Sequence, residues 1–87
     1  MYSPETTETF RAKMKKLAKR DKPRYEMAMG KIEDILKNPQ SQKPLGNVIA
    51  GVRRAHIDPY VLTYDINEER KTVRFLDFEH HDKIYKN

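Results

Sequence analysis

Eighty-seven residues with no cysteine and a formal charge of +5 fit a single domain over residues 1–87 and leave no room for a second core. They exclude disulfides and thiolate zinc sites, and nothing in them resembles a signal peptide or a membrane span, so a cytoplasmic protein without membrane contact is expected. A chain this short buries only about 60% of the surface its unfolded form exposes, so any site on it should be shallow.

In chain order, Ser3, Pro4 and Glu5 read as an N-cap, a first-turn proline and an acid that complements the helix dipole, and they predict a helix from there to about Arg20. Its apolar stripe is Phe10, Met14, Leu17 and Ala18, at helical spacing. A break at Asp21, Lys22 and Pro23 precedes Tyr25, Ala28, Met29, Ile32, Ile35 and Leu36, which match the helical template and predict a second helix ended by Asn38 and Pro39. The short break predicts a helix hairpin. Residues 40–47 turn polar around Pro44 and Gly46 and read as an exposed connection. The period then becomes two. Residues 52–57, 60–66 and 72–78 predict three strands in a meander, with Tyr60, Leu62, Tyr64 and Ile66 facing the helices. The fold class expected is α+β: an N-terminal helix hairpin on a small, mainly antiparallel sheet, with a short turn or helix after Glu79.

Arg11, Lys13, Lys15, Lys16, Lys19, Arg20, Lys22 and Arg24 face only Asp21 within one stretch. This positive block attracts polyanions over about 8 Å at physiological salt, without regard to sequence. A solvated helix face is the equally common alternative. On the first strand, alternation sets Val52, Arg54 and His56 on one face and Arg53, Ala55 and Ile57 on the other. His80, His81, Asp82 and Tyr85 follow the last strand. If that ending docks beside the first strand, His56 and His81 flank a groove.

Cleavage of RNA by its own 2′-hydroxyl needs a base, an acid for the leaving 5′-oxygen, and cations for the charge that builds on phosphorus. Histidine, with an unperturbed pKa of about 6.5, serves either proton role, while arginine and lysine match phosphate. A lone histidine at a strand end is more often a surface residue, Arg53 could equally serve structure, and tyrosines 25, 60 and 64 read more readily as core. A metal site of His56, His80, His81 and Asp82 is conceivable, but neighbours on an extended chain point apart, so neither metal nor cofactor is expected.

Residues 52–66 (VRRAHIDPYVLTYDI), the Val73-Arg74-Phe75 strand and the ending His80-His-Asp-Lys-Ile-Tyr85 resemble the RelE/ParE superfamily of toxins, and within it the YafQ-like branch. The resemblance covers nearly the whole chain in layout and is most specific at Ala55-His-Ile-Asp-Pro59 with Tyr64, and at His81 with Tyr85. It implies the RelE-like microbial RNase fold and a ribosome-dependent messenger-RNA endonuclease, neutralised by a cognate antitoxin in a hetero-oligomer. By that resemblance His81, Tyr85 and His56 are expected to be catalytic; Arg53, Arg54, Lys43 and His80 are expected to bind substrate, the arginines and the lysine as cations for phosphate. The sequence departs from the branch where Lys43 replaces a functional histidine and Arg54 an acid. Val61 stands where RelE-type relatives place a phosphate-binding arginine. Two other functions stay open: a non-enzymatic inhibitor of DNA gyrase, as in the ParE branch, and plain nucleic-acid binding through residues 11–24.

Overall fold

The computed structural model describes residues 1–43 and 51–84. They form β1 (Ser3–Thr6), α1 (Glu8–Arg20), α2 (Lys22–Lys37), a 3-10 turn (Pro39–Ser41), β2 (Arg53–Ile57), β3 (Tyr60–Asn67), β4 (Thr72–His80) and α3 (His81–Ile84). The sheet order is β1-β4-β3-β2, with the last three strands antiparallel and β1 parallel to β4.

The expected helix start at Ser3 is corrected. Ser3 to Thr6 is a strand, and it joins the three-stranded meander as a parallel fourth strand beside β4. The N–H groups of Ser3 and Thr7 donate to the carbonyls of Lys71 and Phe75, at 2.9 and 3.2 Å. Pro4 therefore falls at the intervening position of an edge strand, where an N–H would point away from the sheet and none is missed. Thr7 is the true N-cap. Its hydroxyl accepts from the Phe10 N–H at 3.0 Å and donates to the Leu76 carbonyl at 2.7 Å, so a single side chain starts α1 and fastens it to β4.

The break between the helices is shorter than its composition suggests. Asp21 alone separates them, and Lys22 and Pro23 already belong to the first turn of α2. Asp21 accepts from the Arg24 N–H at 3.2 Å, and a proline in the first turn loses no helical hydrogen bond. Phe10, Met14 and Leu17 of α1 and Ala28, Ile32, Ile35 and Leu36 of α2 are buried. Met29, expected in the stripe, is 43% exposed.

The core lies between the hairpin and one face of the sheet, where Leu62, Tyr64, Val73, Phe75 and Phe78 meet those helical side chains and Tyr60 and Ile66 pack at its margin. The apolar spacing on β4 runs two and then three because the register shifts between Thr63 and Tyr64: Tyr64 pairs with Phe75 but Thr63 with Asp77. Leu76 is thus the extra residue of a β-bulge, and it lets Phe75 and Phe78 face the same core. Among the described residues no helix is long and apolar enough to cross a membrane.

Candidate active site

Period-two alternation places Arg54 and His56 on the face of β2 away from the helices. Across the sheet they stand opposite Thr63 and Val61, and these in turn stand opposite Asp77 and Glu79. This outer face is therefore two rows, His56-Val61-Glu79 and Arg54-Thr63-Asp77. Val61 is buried within it, so the position at which an arginine was looked for contributes an apolar floor.

α3 completes the face. The His81 N–H donates to the Pro59 carbonyl at 2.9 Å, and Arg24 Nε donates to the Asp58 carbonyl at 2.6 Å. The β2–β3 turn is thereby held from α3 on one side and from α2 on the other. That grip brings the His81 ring to 6.2 Å from the His56 ring, centroid to centroid. Both histidines are exposed. The described part of the ending, α3, thus sets His81 on the side of the sheet that carries His56.

Arg54 Nη1 lies 3.1 Å from His56 Nδ1. A guanidinium can only donate, so in that contact this nitrogen of His56 is the acceptor. Lys43 is exposed, its carbonyl accepts from the Arg54 N–H at 3.0 Å, and with Ser41, Gln42, Arg54 and His56 it lines an open depression of about 470 Å³. Ser41 and Gln42 were not singled out from the sequence; their only signal there was adjacency to Lys43.

Two carboxylates on the same face are already occupied. Lys13 of α1 donates to Asp77 at 2.8 Å and to Glu79 at 2.6 Å. Burial works to lower the Lys13 pKa, but the two carboxylates outweigh it and hold the ammonium above its ordinary value. The same contact holds Glu79 below the usual carboxylate range, against its own partial burial. Lys13 thus offsets one of the two negative charges at this end of β4, and Lys83, whose Nζ lies 3.9 Å from Glu79 Oε1, stands near the other.

The remaining expected site residues are not brought to this group. β4 continues through His80, so His80 takes the face of Phe78 and meets the edge of the Tyr60 ring at 6.1 Å, while the Asp82 carboxylate lies 3.8 Å from its Nδ1 and 3.6 Å from that of His81. Arg53 points toward the helices, where Nη1 donates to the Gln42 carbonyl at 2.6 Å and Nη2 to Gln40 Oε1 at 2.8 Å. Tyr85 lies outside the described residues. Among the described residues no three His, Asp or Glu side chains converge as a metal cage.

Residues 5–85 match the family model of the ParE toxin of the type II toxin-antitoxin system, parDE. The chain is 40% identical to the protein called RelE4 of Methanocaldococcus jannaschii, over 99% of this chain and 93% of that one. Among solved structures it is similar to the toxin-antitoxin complex RelBE2 of Mycobacterium tuberculosis, with 31% identity, a TM-score of 0.71 and coverage of 92% and 98% of the two chains. The YoeB/ParE toxin of Agrobacterium tumefaciens has a TM-score of 0.81 at 14% identity, covering 91% of this chain and 98% of its own, a likeness of fold.

Proposed function

Because the chain belongs to the ParE toxin family of type II toxin-antitoxin systems, with relatives that carry the RelE name, we propose that it is a ribosome-dependent messenger-RNA endonuclease that needs no metal. The observation that carries this reading is the meeting of His56 and His81, 6.2 Å apart, with Arg54 3.1 Å from His56. The two imidazoles share the proton roles: one takes the proton of the ribose 2′-hydroxyl, and the other gives a proton to the departing 5′-oxygen. The 2′-oxygen bonds to phosphorus as the 5′-oxygen leaves, so the products are a cyclic 2′,3′-phosphate and a free 5′-hydroxyl. Arg54 and Lys43 neutralise charge on the phosphorane. Tyr85 is assigned by resemblance to position or stack on the message. The nucleophile belongs to the substrate, so the protein needs no serine or cysteine of its own.

Two further features suit the setting. Lys15, Lys16, Lys19 and Arg20 are exposed on α1, a surface that draws the chain toward ribosomal RNA without reading sequence. On the helical side an apolar groove lined by Phe10, Met14, Met29 and Ile32 carries Arg11 and Lys15 on its rim. It fits an amphipathic segment with acidic flanks, the chemistry expected of the antitoxin that forms the resting complex. Mapping message 5′-ends after incubation with translating ribosomes tests the proposal. Discrete cuts that persist in chelator and disappear with His81→Ala are expected; uncut message with the wild-type chain would overturn it. The ParE description of the matching family favours one other reading, a non-enzymatic inhibitor of DNA gyrase. A supercoiling assay showing stoichiometric inhibition, with no RNA scission, would put that reading first.

A further inference from the structure

The connection that carries Lys43 to the site is held by side chains from the opposite face of the sheet. Tyr64, wholly buried on β3, donates its hydroxyl to the Pro39 carbonyl at 2.8 Å. Three residues later Arg53 closes a fork on the Gln42 carbonyl and on Gln40 Oε1. Gln40 in turn donates through Nε2 to Glu68 in the β3–β4 turn, and Glu68 also accepts from the Tyr2 hydroxyl at 2.6 Å. The next carbonyl in the chain after the one Arg53 grips is that of Lys43, which accepts the Arg54 N–H. Consecutive arginines thus clasp consecutive carbonyls, one by its side chain and one by its backbone.

We propose that Arg53 is a positioning residue: its grip on Gln42 and Gln40 lays residues 41–43 along the outer edge of β2 and so fixes where Lys43 stands relative to Arg54 and His56. This inference rests on the nuclease reading and gives Arg53 a different task from the substrate contact first expected of it. A guanidinium suits the task because its planar fork satisfies two acceptors at fixed spacing, one a backbone carbonyl and one an amide oxygen. A lysine there would offer a single point donor and hold only one of them. With the grip released, Lys43 keeps its charge but loses its location. The cost should therefore fall on substrate binding more than on proton transfer, since neither histidine is touched.

The test is a double-mutant cycle in the ribosome cleavage assay. Arg53→Ala should raise KM about tenfold with kcat little changed, and Arg53→Lys should lose less. Lys43→Ala should show a similar loss, and Lys43→Ala with Arg53→Ala should be no worse than Lys43→Ala alone, because both act through one ammonium. Independent, multiplying losses, or a wild-type KM for Arg53→Ala, would overturn the positioning role. Thermal melting accompanies each variant. If Arg53→Ala melts below the assay temperature, Arg53→Lys and Gln40→Ala carry the same cycle. Should the wild-type chain itself fail to cut, the nuclease reading falls, and the cycle is read instead as affinity for ribosomes programmed with a 2′-O-methyl message. Equal loss in the single Lys43 variant and the double variant still supports positioning, and multiplied losses still refute it.

Discussion

Arg53 and Arg54 share a strand and differ in everything else. The first reaches toward the helices and is consumed by a carbonyl and an amide oxygen; the second reaches to the outer face and touches an exposed histidine. The same division runs through the whole sheet. On the helical face, polar atoms such as the Tyr64 hydroxyl are buried and paired with backbone. On the outer face, polar side chains stay partly or fully exposed around a buried floor of Val61 and Thr63. Groups of the first kind are costly to disturb because removing one partner strands the other away from water. Groups of the second kind can change with little effect on folding. Stability and chemistry should therefore respond to different substitutions on alternate residues.

The largest effect expected lies on the outer face. His81→Ala and His56→Ala should each lower kcat for message cleavage by about 10²–10⁴-fold while melting temperature moves little; a melting loss that matches the activity loss would erase the distinction between faces. Arg54→Ala comes next, at roughly 10–100-fold in kcat/KM. Its effect should shrink as salt rises, since long-range attraction to phosphate is screened.

On the helical face Tyr64→Phe should cost roughly 1–3 kcal/mol of stability by urea denaturation, with cleavage per folded molecule near normal, because the Pro39 carbonyl is left unpaired. Burial pushes the Tyr64 phenol up to about 12, despite the opposing charge of Arg53. With the folded value above the unfolded one of about 10, the protonated phenol's contribution is complete below pH ~10 and is lost as pH climbs toward 12, a fall of roughly 2–3 kcal/mol. Subtracting the Tyr64→Phe profile from the wild-type profile should isolate that alkaline slope; parallel curves would show that the phenol does not carry it.

The smallest effect should come from Lys13→Met, under about 1 kcal/mol, since the bridge is partly solvated. The folded-state pKa of Glu79 is depressed, so its share of stability is present above about pH 4.5 and disappears as pH falls through the folded value. The variant should flatten that acid limb, and an unchanged acid limb would assign it to other carboxylates.

Much of this division was written in local pattern. The alternation Arg53, Arg54, Ala55, His56, Ile57 fixes the faces, and the apolar spacing of α2 fixes that helix, because both depend on geometry a few residues long. What escaped was decided at distance. Ser3-Pro4-Glu5 has the chemistry of a helix start, yet pairing with β4 overrides it, and the partner strand is visible only once folded. The bulge at Leu76 adds a residue that no local rule demands. His56 and His81 meet because backbone contacts to Asp58 and Pro59 steer the turn between β2 and β3, whereas His80, adjacent in sequence and alike in chemistry, is set on the face of Phe78 by one more residue of strand. Arg53 could be assigned a face in advance but not a partner.

The parallel pairing of β1 with β4 has a consequence for biosynthesis. Thr7 and Leu76, joined by a hydrogen bond, are 69 residues apart, so β1 has no partner until β4, much later in the chain, has been made. Until β4 emerges, the sheet lacks the member that joins β1 to the remainder, and α3, with His81, has no strand from which to spring. Contacts of such long range form late and favour closure in a single concerted event. A nascent chain therefore cannot assemble the histidine pair ahead of the finished sheet, and tertiary structure and that pair should arrive together.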